Sequence, residues 1–188
     1  LELDSNNIES LRGLSRLSSL LWLNLSNNNI TDISELSGLH NLTSLNISNN
    51  QITDLSPISG LTNLRRLRVS YNQIQDLIAL SPMTELTALI ADNNQVSNLD
   101  PLLNIRSLSF LNLSKNNISN IDNLGSFTQI QTLLLKDNDI QNIDSLSPLY
   151  QLQHVNLTGN SAISDCSGLN FILEKNGKLL CVVVSNTD

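Results

Sequence analysis

Aromatic residues are scarce in this chain of 188: one Trp, two Tyr and three Phe, 3% in all. Stacking on sugar rings normally wants more exposed aromatics than Trp22, Tyr71 and Phe110. Only 14% of residues are charged, and no run approaches the ~18 uninterrupted apolar residues of a membrane span, so membrane insertion is not expected. Leu1-Glu2-Leu3-Asp4 lacks the basic and then apolar regions of a secretory signal. A net charge of −7 argues against a phosphate backbone as the main partner, so no nucleic acid is expected. Two Cys cannot build a disulfide framework and do not fix the redox compartment. Two His and no dense acidic cluster leave little material for a metal site or a catalytic triad. The expectation is a non-enzyme with neither cofactor nor metal.

What is abundant is Leu, with 39 copies, and Asn, with 28. Both fall into register when the chain is written in rows of 22 beginning at Leu20, Leu42, Leu64, Leu86, Leu108, Ile130 and Leu152. Three residues into each row stand Leu23, Leu45, Leu67, Leu89, Leu111, Leu133 and Val155. Asn28, Asn50, Asn72, Asn94, Asn116, Asn138 and Asn160 form a further column, which Asn6 joins from an incomplete first row. Chance does not produce that column.

In Leu23-Asn24-Leu25 the period is two, so both Leu point one way and their neighbours the other, as in a short strand. Apolar residues then recur every third position, as at Ile33, Leu36 and Leu39, which suits a 3₁₀ or irregular return. Ser56-Pro57 and Asp100-Pro101 read as helical starts, a capping side chain followed by Pro. One strand and one return cannot bury their own apolar residues, whereas stacked copies can. The expected fold is an α/β solenoid, a curved horseshoe with a parallel concave sheet and a 3₁₀ or irregular convex side. After each strand the chain turns and leaves backbone groups inside. A carboxamide both donates and accepts on a short stem, so the Asn column is read as a structural ladder bridging neighbouring turns.

These residues resemble the leucine-rich repeat family, written L-x-x-L-x-L-x-x-N-x-I/L, over about residues 1–163. Asn50-Gln51-Ile52-Thr53-Asp54-Leu55-Ser56-Pro57-Ile58 and Gly60-Leu61-Thr62-Asn63-Leu64 are similar to the 22-residue class shared by bacterial internalins and phosphatase-regulating Sds22 proteins. The motif identifies fold more than function, since the matching residues are buried scaffold. The expected division is repeats over 1–163 (about seven full and one partial) and a C-terminal cap over 164–188. Asn160-Ser161-Ala162-Ile163 carries one extra residue, and Leu179-Leu180-Cys181-Val182-Val183-Val184 reads as a closing strand. Cys166 and Cys181 read as buried thiols, with a disulfide pinning the cap as the alternative. The first row lacks its opening segment, which suggests a fragment of a longer protein.

Outward strand positions form columns about 4.8 Å apart across the concave sheet. They read Trp22, Ser44, Arg66, Ala88, Phe110, Thr132, His154, then Glu2, Asn24, Asn46, Arg68, Ile90, Asn112, Leu134, Asn156. A third contains Ser70, Asp92, Ser114 and Lys136, and a fourth Asn49, Tyr71, Asn93 and Lys115. Most entries are small and polar. Phe110 beside Ile90 and Leu134 is expected to be an exposed apolar patch, with Arg66, Arg68 and Tyr71 nearby as an aromatic and Arg group of the kind that dominates binding energy. Arg65, Arg66 and Arg68 suit a carboxylate or phosphate, unless Arg68 only pairs with Asp92. Trp22 lies about 19 Å from Phe110, in a separate subsite; Asp92, Lys136 and His154 complete the partner-binding candidates.

The leading functional reading is a protein–protein interaction module that seats a partner on its concave face, as a monomeric segment. Alternatives are the substrate selector of an enzyme whose catalytic domain lies elsewhere, and glycan binding. The resemblance implies a bacterial surface or secreted setting, or else a cytoplasmic one. Seven Asn-x-Ser/Thr sequons, several on the concave face, disfavour a eukaryotic secreted origin.

Overall fold

The computed structural model describes residues 1–164 and Leu169. Seven strands lie in chain order in one parallel sheet: β1 (Trp22–Asn24), β2 (Ser44–Asn46), β3 (Arg66–Arg68), β4 (Ala88–Ile90), β5 (Phe110–Asn112), β6 (Thr132–Leu134) and β7 (His154–Asn156). Each pairs with its counterpart 22 residues on, from Leu23↔Leu45 to Leu133↔Val155. An isolated bridge between Glu2 and Asn24 adds the partial first row. The middle residue of every strand is buried, at 0–7% exposure, so a three-residue strand carries one core side chain between two outward ones. The result is an open, curved solenoid sheet.

The return path uses 3₁₀ turns throughout the described residues, from Leu14–Arg16 to Asp144–Leu146, of which Asp122–Ser126 is the longest. Three residues per turn put Ile33, Leu36, Leu39 and Leu42 on one side, and all four are buried. One continuous aliphatic core then runs from Leu11 to Ile163 and includes Phe127 and Leu169.

The turns at Ser56–Ile58 and Asp100–Leu102 begin where expected, with Pro in their first turn. Their caps do not. Asp54 Oδ1 accepts the Ser56 N–H at 2.7 Å and its Oδ2 accepts the Ser56 hydroxyl at 2.6 Å, while Asn98 Oδ1 accepts the Asp100 N–H at 2.9 Å. Asp32, Asp76, Asn120 and Asn142 make the same bond to the N–H two residues on. A short acid or amide stem reaches that N–H without leaving the turn, so the capping column lies two residues before the one expected.

After each strand comes a residue in the left-handed region and then the Asn of the ladder. Asn94 shows the pattern: Nδ2 donates to Val69 O at 3.0 Å and Ala91 O at 3.2 Å, and Oδ1 accepts the Ile74 N–H at 3.0 Å. Asn28, Asn50, Asn72, Asn116, Asn138 and Asn160 repeat it and are all buried. Asn6 differs: it is exposed and donates only to Leu3 O and Asp4 O of its own row. Beyond residue 164 only buried Leu169 is described. The expected cap, its closing strand, Cys166 and Cys181 lie outside the described residues.

Candidate functional site

The ladder and the core use the inward side chains, which leaves the outward strand positions for recognition. Register sets the neighbours. Arg66 sits between Ser44 and Ala88, Arg68 between Asn46 and Ile90, and Phe110 between Ala88 and Thr132. Arg66, Arg68, Trp22 and His154 are exposed; Ile90, Phe110 and Leu134 are half-buried. The expected exposed patch of Phe110, Ile90 and Leu134 is thus corrected. At about 4.8 Å per strand on a concave surface, each side chain is partly covered by those beside it.

Two hollows open on this face. One, of about 500 Å³, is lined by Ser48, Asn49, Arg68, Tyr71, Ile90 and Asp92 among others. The other, of about 400 Å³, is lined by Arg66, Arg68, Ala88, Ile90, Ser109 and Phe110 among others. They meet at Arg68 and Ile90. The second has a simple origin: Ala88 stands in one column between Arg66 and Phe110, so a missing side chain leaves a dip flanked by two long ones. The sheet therefore gathers Arg66, Arg68, Tyr71, Ile90, Asp92 and Phe110. Trp22, Leu134, Lys136 and His154 line neither hollow.

The electrostatics are uneven. Among the described residues the one ion pair joins Lys136 to Asp137 at 3.8 Å; Arg65, Arg66 and Arg68 have none. Asp92 forms no ion pair with Arg68, and its carboxylate is engaged by neighbouring polar side chains instead. Its Oδ1 accepts the Ser70 hydroxyl at 2.6 Å and Asn112 Nδ2 at 3.1 Å, and its Oδ2 accepts Asn93 Nδ2 at 2.7 Å.

Tyr71 is 56% exposed with φ +53°, in a column whose other members include Asn27, Asn49, Asn93 and Asp137. Asn and Asp tolerate that region; a bulky ring does so at a cost. Sequence reasoning missed Ala88 as the origin of a hollow, although it is the small member of its column. It also missed Leu21 and Ile78, each 61% exposed. Both stand in columns that are otherwise polar (Thr43, Arg65, Thr87 and Ser34, Ser56, Asp100), which is the signal that finds them. Among the described residues no His, Cys, Asp and Glu side chains gather as metal ligands would, and no helix is long and apolar enough to cross a membrane.

A family model of leucine-rich repeats in two copies matches residues 18–60 and 40–82. No curated protein matches the chain significantly. Among solved structures, internalin C2 of Listeria monocytogenes is 32% identical with a TM-score of 0.88, over 91% of this chain and 76% of that one. Internalin inlF of the same organism is 28% identical with a TM-score of 0.82, over 92% of this chain and 57% of that one. The leucine-rich repeat ectodomain of the Arabidopsis thaliana receptor kinase GASSHO1/SCHENGEN3 was solved in complex with CASPARIAN STRIP INTEGRITY FACTOR 2. It is 26% identical with a TM-score of 0.68, over 77% of this chain and 19% of that one.

Proposed function

The chain belongs to the leucine-rich repeat family and has internalins among its relatives, and from that membership we propose that it is an interaction module seating a protein partner on its concave sheet. Leucine-rich repeat domains commonly serve as protein-interaction modules. The observation that carries the reading here is the pair of adjoining hollows, with unpaired Arg66 and Arg68 beside Tyr71 and Phe110 on an otherwise small and polar face. Aromatic and Arg side chains set in hollows are what interfaces use as anchors. The strands that carry the hollows, β3 to β5, are each held on both sides by the register of their neighbours, so the surface is preformed and loses little entropy when it binds. The likeness to two Listeria internalins supports a bacterial surface or secreted setting.

Affinity enrichment with the purified chain tests this reading. A partner taken up by the unchanged protein is expected to be lost from Arg66→Ala/Phe110→Ala, with circular dichroism showing the fold retained. A partner held equally by both proteins overturns it.

A further inference from the structure

The concave hollows carry a narrower statement about what they hold, which rests on the proposed concave-face reading. We propose that the Ala88 hollow binds an extended protein segment carrying a carboxylate side chain next to one large apolar side chain. The carboxylate meets Arg66 and Arg68, and the apolar group fills the dip between those arginines and Phe110.

The charge argument comes first. The protein is acidic, at −7, yet three of its ten cations are packed into four residues, and none of the three has an ion pair among the described residues. Arg66 and Arg68 alternate to the same face of β3, roughly 6.6 Å apart at strand spacing. Two guanidiniums at that distance offer paired N–H donors to one or two carboxylates, a planar match that ammonium groups lack. The column neighbours of Arg66 are Ser44 and Ala88, both uncharged. Asp92, the carboxylate that could repel an acidic ligand, lines the first hollow and not the second, and three side chains already donate to it. The Arg66 side of the Ala88 hollow is thus the place on this face where an added negative charge meets cations and no anion.

The apolar requirement comes from the opposite wall. Phe110 lies two strands from Arg66, roughly 10 Å away, with Ala88 between them and Ile90 beside. A cavity of about 400 Å³ with those walls admits a Leu, Phe or Trp side chain. The two groups on the ligand are therefore neighbours or next neighbours along its chain. Tyr71 adds an independent sign. At φ +53° it occupies a position where Asn stands in three of the repeats, so a ring is kept there against the backbone preference of the turn. It lines the adjoining hollow together with Arg68, where the ligand chain would continue.

The test uses a displayed library of random peptides of about twelve residues, panned on the unchanged chain and on three variants. Arg66→Ala/Arg68→Ala removes the cations, Ala88→Phe fills the dip from a half-buried outward position, and Tyr71→Asn restores the residue of the neighbouring repeats. The expected result is enrichment of Asp or Glu within two positions of Leu, Phe or Trp. Those peptides, resynthesised, should bind about tenfold or more weakly to each of the first two variants, and more weakly in higher salt. Enriched peptides without acidic residues, lost on Ala88→Phe but indifferent to the Arg variant, overturn the acidic inference and leave the concave-face reading standing. Peptides indifferent to all three variants overturn both. A library that yields no enriched sequence overturns the inference. So does tighter binding of a phosphoserine version of the motif than of its Glu version, because the site then selects phosphate.

Discussion

Two columns of residues run side by side along the solenoid and obey opposite rules. In the ladder of Asn28, Asn50, Asn72, Asn94, Asn116, Asn138 and Asn160, the chemistry is fixed, because each buried carboxamide serves backbone groups of two rows. In the column one residue earlier, the backbone is fixed and the chemistry is open. Ser5, Asn27, Asn49, Tyr71, Asn93, Lys115 and Asp137 all hold φ of 53–57°, and Gly159 holds 82°. A scaffold need is thus written as residue identity where a side chain completes the fold, and as a torsion angle where only the turn matters. The second kind of position leaves room for a side chain that the scaffold does not require, and Tyr71, proposed above to line the ligand's path, stands at one.

The same substitution in adjacent residues tests that contrast most severely. Asn94→Leu strands the Ile74 N–H, for which the Asn94 side chain is the acceptor, and removes a donor from Val69 O. Its expected cost is about 3 kcal/mol. Asn93→Leu leaves the ladder intact, removes one donor from the solvent-accessible Asp92 carboxylate and brings a side chain less tolerant of φ +55° to a half-buried turn, so about 1 kcal/mol is expected. Urea unfolding of the two variants reads the difference. Equal losses would break the comparison.

Much of this was legible in the sequence, for physical reasons that differ by position. The row length, the strand at Leu23-Asn24-Leu25 and the buried Asn were readable because each requires a residue type. The caps were misplaced because Ser56 and Asp100 look like caps, while the side chains that cap, Asp54 and Asn98, sit two residues earlier in an equally polar stretch. The half-burial of Phe110 and Leu134 was not readable, since it comes from neighbours brought together by curvature and not from either residue. Nor was the left-handed turn at Tyr71, although Asn27, Asn49, Asn93, Asp137 and Gly159 in the same column signal it.

The capping column supplies the next test, because there the chemistry is loosely fixed: Asp in the earlier rows, Asn in the later ones. Asp54→Ala should cost about 1 kcal/mol. Asp54→Asn should cost less, since Asn98, Asn120 and Asn142 make the same bond to the N–H two residues on. A loss as large for Asn as for Ala would mean that the charge, and not the acceptor, sustains the turn. The Ser56 hydroxyl, and then its N–H, hold the Asp54 carboxyl below its usual value of 3.8. Its contribution is therefore complete above that value and is lost as pH falls through the lower folded one.

Tyr71→Asn reverses the sign. Replacing a ring at φ +53° by the residue of the neighbouring repeats should raise stability by about 0.5–1 kcal/mol. The same change should weaken whatever the adjoining hollow holds. Thermal unfolding supplies the first number and binding the second. If the variant is less stable than the parent, the ring packs as part of the scaffold, and the second column is not free in the sense argued above.

The smallest effect is expected where no column rule operates. Glu35 shares its place, the second residue of a 3₁₀ turn, with Pro57, Ala79, Pro101, Asn123 and Ser145, so an ordinary helical torsion is needed there but no residue identity is imposed. Its Oε2 nevertheless accepts the Ser15 hydroxyl at 2.6 Å, the Gly13 N–H at 3.1 Å and the Ser15 N–H at 3.4 Å, tying the second 3₁₀ turn to the first. The Ser15 hydroxyl, followed by its N–H, lowers the carboxyl below its ordinary 4.5. A depressed folded value means that the link stabilises fully above 4.5 and fades as pH falls through the lower folded value. Glu35→Gln should therefore unfold slightly earlier than the parent at neutral pH, and the two urea midpoints should converge in acid. Because Glu35 is only half-buried at the surface, water competes for each bond and the gap at neutral pH should be the least of these effects. A gap that stays constant with pH would show that the amide repels or misfits the first turn, and that the charge on Glu35 contributes nothing to joining the two rows.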